Sequence, residues 1–169
     1  NSSAASDVYK RQRQILYPYE EMEVLNPEWE VILKDIIDSL FEQMSDEEYN
    51  ILNEEFGTYM VSRAYEYRQL LEYLVFRYFA KSIYDYDFLG KCQMLVTNFF
   101  VIRQMDIIRW LDNHREYSFK DRMDVVHIFS RQVEYSEDNI ENLYEDFIFD
   151  DIFKTDSLIA ILWIDSENI

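Results

Sequence analysis

Two arginines lie inside apolar runs, and a guanidinium drawn towards a core has to meet an anion. Arg77 sits within Leu74-Val75-Phe76-Arg77-Tyr78-Phe79, and Arg103 within Val101-Ile102-Arg103-Gln104-Met105. An uncompensated buried charge is costly, so a buried arginine must be paired. Arg103 has Asp106 three residues on and Arg68 has Glu72 four residues on, spacings that suit ordinary pairing on a helix surface. Arg77 has no acid at either helical spacing, which leaves a tertiary partner, a substrate carboxylate or a cofactor. Arg131 and Glu134 stand three residues apart near a helix end, where they either pair with each other or line a cleft.

Other reactive residues are sparse. His114 and His127 have no ligand-type partner at the i, i+4 helical spacing, so both are expected to be structural and no metal site is expected. Asp85 and Asp87 precede an apolar helix and read as capping groups rather than cation ligands. Cys92 is the single cysteine, placed where a thiol behaves as a small hydrophobe. Alone, it excludes a disulfide within the chain and any cysteine-held zinc or iron–sulfur site made by this piece, and a reducing compartment follows. With two glycines, Gly57 and Gly90, the chain has no phosphate loop, nucleophile elbow or dinucleotide fingerprint. The tyrosines at helical spacing read as core residues that keep their hydroxyls near water, and no aromatic cage stands out.

The elements that must position these residues are helical. Of 169 residues 49% are hydrophobic and 17% aromatic, too much apolar mass for a disordered chain despite a net charge of −18. Two glycines and two prolines cannot supply the turns of an all-β domain. The composition implies an all-α, compact bundle of six to seven helices. Asn26-Pro27 starts the first, whose stripe runs through Trp29, Leu33, Ile36, Leu40 and Phe41. Ser45 with Glu48 forms a capping box for a short helix ending at Gly57, and a long helix follows over 59–84. The central helix spans about 88–113 and is apolar nearly all round. Ser118 and Ser136 open two more, and the last segment, about 150–164, reads as either a terminal helix or a short strand.

Residues Asp7-Val8-Tyr9-Lys10-Arg11-Gln12 resemble the translated end of a sequencing-library adaptor. Residues 1–12 are therefore expected to be a disordered artefact, 13–26 an extended connector containing Pro18, and 27–165 the helical domain. With 34 acidic against 16 basic side chains, the surface disfavours nucleic acid and anionic lipid. No run approaches the length of a membrane span, so no membrane partner is expected and a cytoplasmic location is.

The stretch Glu72-Tyr73-Leu74-Val75-Phe76-Arg77-Tyr78-Phe79, then Tyr84-Asp85-Tyr86-Asp87 and Gly90-Lys91, resembles the C-terminal half of bacterial flagellin lysine-N-methylases. The likeness continues through Ser130-Arg131-Gln132-Val133-Glu134-Tyr135-Ser136-Glu137-Asp138-Asn139. It implies a parent protein that uses S-adenosylmethionine to modify lysines of flagellin, with an iron–sulfur cluster held by cysteines of a missing N-terminal domain. The chain departs from the pattern in having no cysteine cluster and in carrying Tyr135 where the family has a histidine, so the piece should bind no cofactor and be inactive alone. The resemblance places Arg77, Arg131 and Glu134 towards substrate or cofactor. A different class also fits the acidity: a non-catalytic helical module that binds a basic protein. An upstream reading frame rich in cysteine would favour the first, and an unrelated upstream domain the second.

Overall fold

The computed structural model describes residues 10–80 and 86–159. Among them there is no strand, and the domain is a bundle of helices around one apolar core. Helix α1 is a single turn, Tyr17–Glu20. Helix α2, Pro27–Asp35, begins as expected: the Asn26 side chain accepts from the Glu28 N–H, and proline occupies the position where no donor is needed. It runs on as a π-helical turn, Ile36–Glu42, whose wider path buries the adjacent pairs Ile36, Ile37 and Leu40, Phe41.

The Ser45–Glu48 capping box opens α3, Asp46–Met60. This helix does not stop at Gly57. The glycine is helical, its cost in helix propensity is only ~1 kcal/mol, and buried Phe56 and Met60 on either side hold the turn in place. A short 3₁₀ turn, Val61–Arg63, then separates α3 from α4, Ala64–Phe79, where one long helix over 59–84 was expected. The last residues of that expected helix, and Asp85, lie outside the described residues.

Helix α5, Phe88–Asp112, is the centre of the bundle, capped by Asp87 on the Gly90 N–H. It packs against α2 and α4 and against two later helices, α6 (Phe119–Phe129) and α7 (Glu137–Phe149). Its surroundings on every side explain why it is apolar nearly all round. Ser118 and Asp121 cap α6 reciprocally, and Ser136 caps α7 through the Asn139 N–H. Between them Ser130–Glu134 forms a second π-helical turn, which buries three consecutive residues, Gln132, Val133 and Glu134. A 3₁₀ turn, Asp151–Phe153, and helical residues 155–159 follow. The choice between helix and strand is thus helix up to residue 159, and the remainder of the run lies outside the described residues.

The N-terminal stretch corrects the expectation of an extended connector. Residues 10–15 are helical, α1 follows, and Ile15, Leu16, Tyr19 and Met22 are all in the core. Gln12, placed in the segment expected to be disordered, is buried. Residues 1–9 lie outside the described residues. Two buried amides take the place of a neighbouring strand along residues 23–26. Gln132 Oε1 accepts from the N–H groups of Leu25 at 2.9 Å and Asn26 at 3.2 Å, while its Nε2 donates to the Glu23 carbonyl at 2.6 Å. Asn139 Oδ1 accepts from the Glu23 N–H at 3.1 Å, and its Nδ2 donates to the carbonyls of Glu23 and Gln132 at 3.1 and 2.9 Å. Backbone polar groups entering a core need such partners.

Candidate functional site

The fold gathers α1, α4, α5 and the second π turn into one polar corner. Glu134, buried at the end of the π turn, accepts from two phenols of α4: Tyr73 on Oε2 at 2.7 Å and Tyr78 on Oε1 at 3.0 Å. Asn98 of α5 donates through Nδ2 to the Tyr78 oxygen at 2.8 Å, and its Oδ1 accepts from Tyr19 of α1 at 2.6 Å. A chain of hydrogen bonds therefore runs from Tyr73, 41% exposed, to Tyr19, 1% exposed, linking surface to core through four elements.

The electrostatics follow the burial. Tyr73 is pushed up to about 12, first by desolvation and then by its hydrogen bond to Glu134. Tyr78 goes further in the same direction because it is more deeply buried and faces the same carboxylate. Burial likewise raises Tyr19. These phenols therefore serve as fixed donors at neutral pH rather than as bases.

Two of the three residues expected at a site meet here. The Arg77 guanidinium donates through Nη2 to the backbone carbonyl of Glu134 at 3.4 Å. That is the tertiary partner which its helix neighbours could not supply. Arg131 lies exposed on the outer side of the π turn, and the Glu134 carboxylate is engaged by Tyr73 and Tyr78. Glu134 is thus a buried anchor rather than the wall of a cleft. A cavity of about 580 Å³ does open elsewhere, between the start of α5 and the end of α7, lined by Gln93, Tyr144, Phe147 and Lys154 among others, and none of the three borders it.

A second polar cluster lies inside the bundle. Asp106 of α5 is fully buried and accepts from Arg122 and Tyr117, and from Tyr67 at 2.8 Å. Glu66 joins it, 3.4 Å from Arg122 Nε and 2.7 Å from Arg63 Nε, and Arg63 also donates to the Tyr117 carbonyl. The Arg122 guanidinium stacks over the Tyr67 ring at 4.3 Å. Burial pushes the Asp106 carboxyl up; Arg122 and the two phenols oppose that by favouring the carboxylate. Burial is the largest single influence on Arg122 and opposes its charge, but Asp106, Tyr67 and Tyr117 together outweigh it and hold the guanidinium above its usual value. Arg103 and Asp106, expected on a helix surface, are both buried, and Arg103 stacks on Phe56 at 5.4 Å. Arg68 and Glu72 do pair on the surface as expected, at 2.9 Å.

Sequence spacing had no means of finding Tyr73 and Tyr78 as partners of Glu134, because the phenols lie 61 and 56 residues away from it. The available signal was the tyrosine pair flanking Arg77. Cys92 is half-buried on α5, its thiol raised by desolvation, as suits a packing residue and not a nucleophile. Among the described residues no three histidine, cysteine or acidic side chains are grouped to hold a metal ion, and no helix is long and apolar enough to cross a membrane.

Comparison with known proteins adds one finding. The family described as the FliB lysine N-methylase C-terminal domain matches residues 5–161 of the 169. No curated protein and no solved structure is significantly similar.

Proposed function

The chain belongs to the FliB lysine N-methylase C-terminal domain family, and from that premise we propose that it is the C-terminal helical part of a protein lysine N-methyltransferase whose substrate is flagellin. The match over residues 5–161 is the observation that carries this reading. Chemistry on a lysine amine needs a methyl donor, and S-adenosylmethionine is the donor proposed for the whole protein. An iron–sulfur cluster, if the whole protein carries one, is held outside this chain, since Cys92 alone cannot supply a set of thiolates.

The residues of this chain divide the work. Arg77, steadied by the Glu134 carbonyl, keeps further N–H groups for a carboxylate of cofactor or substrate, the charge-assisted bonding for which guanidinium is suited. Arg131, exposed on the same π turn as Glu134, offers a positive charge to the acidic groups of a protein substrate. Glu134 is a positioning residue: it fixes Tyr73 and the π turn from which Arg77 takes its bond.

The test is Arg77→Ala, Arg131→Ala and Glu134→Gln in a full-length family protein, with flagellin methylation followed by mass spectrometry. Arg77→Ala is expected to lower kcat/KM at least tenfold, about 1.4 kcal/mol. Arg131→Ala should raise KM with kcat kept, and Glu134→Gln should lower activity in step with loss of the Tyr73 and Tyr78 bonds. Unchanged methylation in all three, with only stability altered, refutes these roles.

A further inference from the structure

The second π turn is gripped from two sides. Gln132 and Glu134 are two residues apart, so their side chains leave the helix in opposite directions, and both are buried. Gln132 meets residues 23–26, the strap that joins α1 to α2. Glu134 meets Tyr73 and Tyr78 of α4, and its carbonyl takes the Arg77 bond. The π register is closed by the Tyr135 N–H, which reaches back five residues to the Ser130 carbonyl at 3.2 Å. An α-helical register would swing one of the two side chains away from its partners by about 100°, so the strap and α4 both depend on the same wide turn.

The strap is a surface segment hung on buried amides. Val24 and Leu25 are 47% and 44% exposed, whereas Gln132 and Asn139 are fully buried. Asn139 also donates to the Gln132 carbonyl, which ties the two amides and the turn into one unit. A segment held this way opens locally more readily than the helices it joins. A second route runs beside the first. Tyr19, just before the strap, donates to Asn98, Asn98 donates to Tyr78, and Tyr78 donates to Glu134. Residues 19–26 thus reach Glu134 twice, once through the backbone of the π turn and once through the phenols.

We infer that residues 19–26 and the second π turn form a latch that sets the position of Arg77, with Gln132 and Asn139 as positioning residues. With the strap seated, the turn holds the Glu134 carbonyl against Arg77 Nη2 and the carboxylate against Tyr73 and Tyr78. With the strap released, Gln132 loses its partners and the contacts on α4 slacken. Such coupling is reciprocal, so a change at Tyr73 is felt at the strap. The latch needs only these hydrogen bonds; its value as regulation of methyl transfer rests on the reading of Arg77 as a group that meets substrate or cofactor.

The experiment uses the 169-residue chain with tyrosine carrying ¹³C at Cζ, read by nuclear magnetic resonance and assigned by single replacements with phenylalanine. Leu25→Pro removes one strap donor at an exposed position, Gln132→Asn shortens the amide by one methylene, and Ser118→Ala is a destabilised control on the α6 cap. The expected result is movement of the Tyr73 and Tyr78 resonances in the first two variants, with Tyr67 and Tyr117 around Asp106 in place, and no movement of Tyr73 or Tyr78 in the control. Tyr73 and Tyr78 unmoved in either folded variant overturn the inference. So does movement of all four, which signals general loosening. Tyr73→Phe, at a half-open position, reads the latch in reverse: the backbone amide resonances of Leu25 and Asn26 are expected to move, and their staying in place overturns it. In a full-length family protein carrying this chain, Leu25→Pro is expected to lower kcat/KM for flagellin at least threefold, and to lower it no further in an Arg77→Ala background. An equal fall in both backgrounds overturns positioning through Arg77. Moving resonances with methylation indifferent to Arg77→Ala keep the latch and refute the role given to Arg77, whereas unmoved resonances with methylation slowed by Arg77→Ala do the reverse.

Discussion

Replacing Tyr78 by phenylalanine removes one oxygen that serves two partners. It donates to Glu134 Oε1 at 3.0 Å and accepts from Asn98 Nδ2 at 2.8 Å, all three residues being buried. A hydrogen bond to a charged group contributes ~1.5–3 kcal/mol and a neutral one ~1 kcal/mol, and neither orphaned group has access to bulk water. The expected loss is about 2.5–4 kcal/mol, or a fall in Tm of roughly 5–15 °C for a domain of this size. Tyr73→Phe removes a bond of similar length, 2.7 Å, from the other oxygen of the same carboxylate. Tyr73 is half open to solvent, so water can replace the lost donor and the cost should stay near ~1 kcal/mol. Urea unfolding of both variants, followed by circular dichroism at constant pH, makes the comparison. Equal losses in the two variants, or a Tyr78→Phe loss below ~1 kcal/mol, would refute the claim that Glu134 is a buried anchor.

Further outcomes follow from the same structure. Asp106→Ala leaves Arg122 buried beside two unpartnered phenols and should cost ~3–5 kcal/mol in equilibrium unfolding, whereas Arg131→Ala on the exposed side of the π turn should stay within ~0.5 kcal/mol. Ser118→Ala removes the α6 cap and should cost ~1 kcal/mol, read as a lower urea midpoint with unchanged slope. Alkaline titration gives a fourth check. The phenols of Tyr19, Tyr67, Tyr73, Tyr78 and Tyr117 are all raised, Tyr73 to about 12 and the others higher. In the unfolded chain they ionise near pH ~10, so their contribution to stability is complete below that and is lost as pH rises towards the folded values. At about pH 11 the native protein should show at least five tyrosines still un-ionised by ultraviolet absorbance, and they should ionise together with loss of helix. Their full ionisation at that pH with the helices intact would contradict the network.

What could be read from sequence divides by the range of the interactions. Caps formed within four residues, at Asn26, Ser45, Ser118 and Ser136, were legible because donor and acceptor are neighbours in the chain. Helix α5 was legible because burial on every side leaves few polar residues to interrupt it. Gly57 misled because a single glycine only weakens a helix, and Phe56 and Met60 decide the matter through packing. Residues 13–26 misled for the opposite reason. Their partners, Gln132 and Asn139, are more than 100 residues away, and their amides supply the hydrogen bonds that local sequence lacks. In the polar corner, Arg77 stood out in the sequence for its lack of a helical partner, and Glu134 through the family likeness; the structure shows the two in contact. The carboxylate's real neighbours, Tyr73 and Tyr78, come from a helix that only the tertiary fold brings alongside. The pairing of Asp106 with Arg122 instead of Arg103 has the same cause: all three are buried, so tertiary neighbours decide it.

The most direct test of the central claim is mass spectrometry of flagellin incubated with S-adenosylmethionine and either a full-length family protein carrying this chain or the 169-residue chain alone. Lysines gaining the mass of one or more methyl groups with the full-length protein, and none with the chain alone, is the predicted result. Flagellin left unmodified by the full-length protein under conditions where that protein is folded and binds S-adenosylmethionine would contradict it.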